Sequence, residues 1–166
     1  MALKKKISID NTDRQILNIL SSQSSTTYAE VAKRIYVSPG TVHVRMKRLL
    51  RLGLIQNSSL NLNYPKIGYD ICVFVGILIE KTTLLPAVMN ELDKINEVVN
   101  AHHTAGIYSI FAKIICRDTE HLRQVLQQKI QNISGIQRIE TLMSLQETIN
   151  RPVYLLEEED WEEEEE

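Results

Sequence analysis

The chain reads as an α+β protein, an N-terminal (winged) helix-turn-helix domain followed by a ferredoxin-like βαββαβ sandwich domain. Three observations predict this. Three helix signatures crowd the stretch before Ile55, and the last two follow one another almost without a linker. From Ile71 the pattern changes to strand, helix, strand, strand, helix, strand. Charge is divided the same way: residues 1–60 hold ten Lys and Arg against three acids, a formal +7, residues 61–156 hold nine of each sign, and the last ten residues hold nine acids. A net charge of −2 therefore conceals a basic first third that suits a polyanionic partner.

The first helix is capped by Asp10, with Asp13 at the capping-box position, and Ile16, Leu17 and Leu20 give it an apolar side. The polar run SSQSSTT ends it. Thr27 with Glu30 forms a second capping box and opens a short helix whose apolar residues are Ala29, Val31, Ala32 and Ile35. The third helix starts at Ser38, a good N-cap, with Pro39 in the first position, and stops at Gly53, about four turns later. Val42, Met46, Leu49 and Leu50 recur in it at helical spacing. Thr41, His43, Arg45, Lys47, Arg48 and Arg51 fill most of the remainder, and no acid interrupts them. A merely solvated helix usually mixes Glu with Lys, so this composition favours a phosphate-facing surface.

Leu54 to Leu62 has the mixture of an exposed strand or linker, and Tyr64 to Tyr69 is a turn at the boundary between domains. Ile71 to Ile79 is apolar on both alternating faces, so both faces of that strand need cover. A helix buried through Leu84, Val88, Leu92 and Ile95 follows, with Pro86 tolerated in its first turn. Val98 to Thr104 and Tyr108 to Cys116 read as strands joined by a turn at Ala105-Gly106-Ile107. A helix capped near Asp118 buries Leu122, Val125, Leu126 and Ile130, and Ile136 to Leu145 is the last strand. Both helices of such a unit lie on one face of the sheet, which leaves the other face to pair with a second subunit.

The remaining bulk features exclude more than they assign. The longest apolar run, Ile71 to Ile79, is too short for a bilayer, and Lys4, Lys5 and Lys6 precede no apolar signal region, so a cytoplasmic protein without a membrane partner is expected. Cys72 and Cys116 sit in apolar strands with no CxxC, as buried free thiols do. No Ser/His/Asp array, phosphate-cradling glycine loop or zinc spacing is present, so no catalytic residue, cofactor or metal is assigned.

The segments IDNTDRQIL, TYAEVAKR, SPGTVHVRMKRLLRLGLI, NYPKIGYD, HHTAGIYSIFAKI and ETLMSLQ occur in the order and wording of one family. They resemble the Lrp/AsnC family of bacterial and archaeal transcription regulators, and SPGTVHVR and GIYSIF look closest to its asparagine-responsive type. The likeness spans about residues 8–150 and leaves EEEDWEEEEE outside it. It implies residues 1–62 as a domain for double-stranded DNA, 63–69 as a linker and 70–150 as an effector-binding and oligomerisation domain, while composition alone makes 151–166 an acidic, disordered tail. Thr41, His43 and Lys47 would lie nearest base edges, with Ser38, Arg45, Arg48, Thr27 and Tyr28 near phosphates. A homodimer would form through the sheet and assemble further, commonly to an octamer. An amino-acid effector, asparagine favoured, would sit against His103, Thr104, Ala105, Gly106, Ile107, Tyr108 and Ser109, with Thr141 donating from a facing subunit. Many relatives carry an acid where Ser109 stands, so a small neutral amino acid is implied here.

Plainer readings exist for each group. His43 is equally a surface residue, Gly106 a turn glycine, and Lys4 to Lys6 a flexible arm. His102 and His103 are adjacent, so on a strand they point to opposite faces and do not share a metal. The acidic end is a solubilising tail or, more sharply, a competitor with DNA for the basic first domain. Two other functions fit the layout: a ligand-sensing module that holds a protein in place of DNA, and an enzyme resembling the sirohaem decarboxylases, whose pocket would lie near His102 and His103. The basic third helix favours DNA over both.

Overall fold

The computed structural model describes residues 7–56 and 62–156. The lysine arm, the middle of the stretch from Leu54 to Leu62, and residues 157–166 lie outside the described residues. The chain forms two compact units: residues up to 60 together with the described residues from Ile149 on, and Asn61–Thr148.

In the first unit, α1 (Asn11–Ser22), α2 (Tyr28–Arg34) and α3 (Pro39–Arg51) start where their caps require. Asp10 accepts from the Asp13 N–H at 2.8 Å and donates its own N–H to Asp13 at 3.3 Å. Thr27 and Glu30 make the equivalent reciprocal pair, and Ser38 accepts from the Thr41 N–H at 3.0 Å. Each box satisfies orphan donors of a first turn, which is why these short helices can exist at all. Ile16, Val31, Ala32, Val42, Met46 and Leu49 bury against one another as the core. Leu50, expected on the inward side of α3, is 49% exposed. At about 100° per residue it falls some 80° from Val42, on the flank of the stripe.

The turn between α2 and α3 contains Tyr36 at φ 57°, among the described residues the one non-glycine with positive φ. Its side chain is 95% exposed. The sharp turn demands the left-handed backbone, and the tyrosine takes it without packing to offset the strain.

The second unit opens with a 3-10 turn, Tyr64–Ile67. It continues as β1 (Ile71–Ile79), a 3-10 turn (Thr82–Leu84) leading into α4 (Leu85–Asp93), β2 (Val98–His103), β3 (Ile110–Cys116), α5 (Thr119–Gln124) and β4 (Ile136–Met143). Val125–Ile130 prolongs α5 as wider π-helical turns. The antiparallel sheet has the order β2-β3-β1-β4, with β1 flanked by β3 and β4. This is the ferredoxin-like arrangement expected from the order of elements.

Val73, Val75, Ile77, Ile110 and Ile114 face α4 and α5 and form the core with Val88, Leu92, Val125 and Ile130. The opposite face carries the alternate residues, led by Phe74 stacked on Phe111 at 5.6 Å and Tyr108 on Phe111 at 6.1 Å. Leu142, opposite Phe74 on β4, is 48% exposed, so no helix of this unit covers that face. Cys72 and Cys116 are free, and burial pushes the Cys116 thiol up to about 11.

Candidate nucleic-acid interface and hairpin site

Helix α3 presents three faces. Val42, Met46 and Leu49 point into the core. A second face is locked to the start of α1. Arg45 donates to Asp10 at 2.6 Å and to Asp13 at 2.9 Å, while Arg48 reaches the other Asp13 oxygen at 2.9 Å and the Ser8 carbonyl at 3.1 Å. Asp13 is fully buried. The Arg45 guanidinium holds the Asp10 carboxyl below its usual value, and Asp10, with Asp13, raises Arg45 in return. Two of the four arginine and lysine side chains of α3 thus have carboxylate partners, a pairing that helical spacing could not show because Asp13 lies 32 residues from Arg45.

The third face is the outward one. His43, Lys47 and Arg51 succeed one another at i, i+4 spacing, all exposed, with Val44 beside them 67% exposed. Among the described residues neither Lys47 nor Arg51 has an ion-pair partner. Tyr28 tilts against His43 with ring centroids 6.0 Å apart, placing the start of α2 beside this face. Ser38 and Thr41 share a hydrogen bond of 2.9 Å at the helix start, and Thr27 is held by Glu30. The fold therefore gathers Thr27, Tyr28, Ser38, Thr41, His43 and Lys47 around the start of α2 and the outward side of α3, and turns Arg45 and Arg48 toward α1. Arg51 joins the outward stripe, which the sequence reading did not include among the site residues.

In the second unit, the turn from His103 to Ser109 closes by Thr104 donating its N–H to the Ser109 carbonyl at 3.1 Å and its hydroxyl to the Tyr108 carbonyl at 2.7 Å. The Ser109 N–H then donates to the Ile77 carbonyl at 2.9 Å, tying the hairpin to β1. Ala105, Gly106 and Ile107 stand clear, Ile107 81% exposed. Gly106 has φ 145°, and a Cβ there would meet nothing within 4 Å, so backbone geometry and not crowding calls for glycine.

Tyr108 crosses the open face of the sheet and donates its hydroxyl to Glu140 on β4 at 2.6 Å, which raises the phenol above its ordinary value. Its ring occupies the space over Gly76, where a Cβ would lie 2.6 Å from it. Glu140 was absent from the expected site, and its place opposite Gly76 depends on β-register. Thr141 is paired with Val75 and so points to the other side of the sheet. One chain does not bring Thr141 to the Tyr108–Glu140 contact. His102 and His103 are both exposed.

The two units match two family models. Residues 9–56 match a winged helix-turn-helix DNA-binding model, and residues 72–154 match the Lrp/AsnC ligand binding domain. Over 145 residues the chain is 41% identical to regulatory protein AsnC of Escherichia coli, covering 87% of this chain and 95% of that protein. The chain belongs to the Lrp/AsnC family. Regulatory protein AsnC of Haemophilus influenzae is also 41% identical, with 97% of its length covered. The solved structure of E. coli AsnC superposes with a TM-score of 0.83 at 40% identity, covering 90% of this chain and all of that one. A Neisseria meningitidis regulator solved as an L-Met complex shares the fold, with a TM-score of 0.84 at 19% identity. The Lrp/AsnC ligand-binding match ends at residue 154, so the nine acids of 157–166 fall beyond it. Among the described residues no helix is long and apolar enough to cross a membrane.

Proposed function

We propose that this Lrp/AsnC protein binds double-stranded DNA through α3 and alters that binding when a small neutral amino acid, asparagine in the first instance, occupies the β2–β3 hairpin. The observation that carries the reading is the outward stripe of α3, with His43, Lys47 and Arg51 exposed and no acid among them. In the major groove Thr41, His43 and Lys47 meet base edges, while Ser38, Thr27 and Tyr28 meet phosphates beside them. Arg45 and Arg48 reach phosphate only by sharing their hydrogen bonds with Asp10 and Asp13, so their first role is to orient α3 on α1.

For the effector, His103, Thr104, Ala105, Gly106, Ile107, Tyr108 and Ser109 offer backbone groups and three hydroxyls but no carboxylate of their own to hold a basic side chain. The open apolar face around Phe74, Phe111 and Leu142 is the surface for a homodimer, and higher assembly to an octamer would bring Thr141 of another subunit to the hairpin. The activity is binding without catalysis, in the cytoplasm, and the named relatives are regulatory proteins.

Titration of a mixed-sequence duplex at increasing salt tests the DNA reading. Each phosphate contact contributes about −0.9 to the slope of log K against log salt. A steep slope, lowered by about one in each of Lys47→Ala and Arg51→Ala, is expected. A flat dependence removes DNA as the partner. The effector reading is tested by melting temperature against each amino acid at millimolar concentration. A ligand at a hundredfold excess over Kd stabilises by about 2.7 kcal/mol. A shift with asparagine supports the proposal, and a shift with another amino acid reassigns the effector.

A further inference from the structure

The described residues after the last strand do not hang free of the first unit. The Asn18 side chain on α1 grips the backbone of Leu155 from both sides, accepting from its N–H at 2.8 Å and donating to its carbonyl at 2.9 Å. An amide that satisfies both polar groups of one residue acts as a short piece of sheet edge and fixes the chain at that point. Arg151, Pro152, Val153 and Tyr154 line a cleft of about 1160 Å³ with Asn18 and Tyr36. Two residues beyond the clamp the sequence becomes EEEDWEEEEE, with nine acids in ten residues.

The clamp sets where those acids begin. Asn18 is five positions along α1 from Asp13, about 8 Å at helical rise, and Asp13 touches Arg45 and Arg48 of α3 directly. Ten extended residues reach up to about 34 Å, whereas the whole of α3 is about 20 Å long. Extended from Leu155, the acidic segment is therefore longer than the whole of α3. The surface it meets carries Lys47 and Arg51, neither with an ion-pair partner among the described residues, on a unit whose residues 1–60 sum to +7. Arg45 and Arg48 are already neutralised by Asp10 and Asp13, which leaves the outward stripe as the place where a polyanion gains most.

We propose that the outward face of α3 is an interaction surface for the chain's own residues 157–166, which occupy it as a mimic of DNA phosphate and are displaced by duplex. The inference rests on the reading of α3 as the DNA-binding helix. The Asn18–Leu155 clamp makes the competition intramolecular, so a weak contact is populated at any protein concentration. A tail docked nine-tenths of the time weakens apparent DNA affinity about tenfold. The competition is strongest at low ionic strength and fades as salt screens both partners.

Trp161 is the single tryptophan of the chain and lies inside the acidic segment, which supplies the readout. Without DNA, its emission anisotropy in the full chain is expected to fall as NaCl rises from about 0.02 to 0.5 M, a range over which the screening length shrinks severalfold. At low salt it should fall again on adding mixed-sequence duplex, and in Asn18→Ala it should start lower. In parallel, the chain ending at Leu156, and a full-length chain with the nine acids replaced by Gln, should each bind duplex about tenfold tighter than the natural chain at low salt, the gap closing at high salt. Equal affinities with DNA binding intact overturn the inference and leave the DNA reading standing. Anisotropy unchanged by salt, by DNA and by Asn18→Ala overturns it independently. If no form binds duplex, the DNA reading fails, and tail docking stands or falls on the salt-dependent anisotropy.

Discussion

Replacing Asp13 by Asn tests whether the ion-pair cluster between α1 and α3 holds the first unit together. Asp13 is fully buried and accepts from Arg45 and Arg48, both at 2.9 Å. A hydrogen bond to a charged group contributes about 1.5–3 kcal/mol, and removing one partner of a buried pair costs about 3–5 kcal/mol. Three features place this site below that upper figure. The arginine side chains are 27% and 47% exposed and can rehydrate, Arg45 keeps Asp10, and Arg48 keeps the Ser8 carbonyl. Asn also retains the shape and one acceptor, so the expected loss is about 2 kcal/mol. Hydrogen exchange read by peptide separates the two units within one sample. A loss of that size speeds exchange of the most protected α1 and α3 amides about thirtyfold, while peptides of β1 and β3 serve as the unchanged control. An increase below about threefold is what an exposed surface pair would give, and it would refute the structural role assigned to Asp13.

Gly76→Ala places a methyl group 2.6 Å from the Tyr108 ring, so the ring must leave Glu140 or the strand must shift. A cost of about 1–3 kcal/mol is expected in urea unfolding, with the phenol titrating nearer its ordinary value. Glu97 is 12% exposed and bridges Lys129 at 2.7 Å and His121 at 3.0 Å. Burial pushes its carboxyl up, but the hydrogen bonds from Lys129, its own backbone and His121 outweigh this and bring it down to about 2. A depressed carboxyl contributes stability above its unfolded value near 4.5 and loses it as pH falls toward 2, so acid unfolding should be shallower in Glu97→Gln. Tyr36→Gly removes a left-handed tyrosine with no packing to lose, for a net gain of about 0.5–1 kcal/mol after the added chain entropy of glycine. A lower melting temperature would mean that the exposed ring makes a stabilising contact.

Local signals were enough for the elements themselves. The caps Asp10, Thr27, Ser38 and Asp118 lie within a few residues of the groups they satisfy, so the starts of α1, α2, α3 and α5 were legible in the chain. A continuous apolar run placed β1 at Ile71–Ile79, and the order of elements pointed to the ferredoxin-like arrangement, whose sheet order here is β2-β3-β1-β4, because few topologies accommodate it. The exposed basic face of α3 followed from helical spacing for His43 and Lys47. Tertiary structure decided what those groups could do. Asp13 captures two arginines more than thirty residues away, register sets Glu140 beneath the Tyr108 hydroxyl and turns Thr141 to the other side, and Asn18 clamps Leu155 from 137 residues off. Periodicity reports which way a side chain points within its own element, whereas a partner depends on how elements pack, and packing couples residues that share no local pattern.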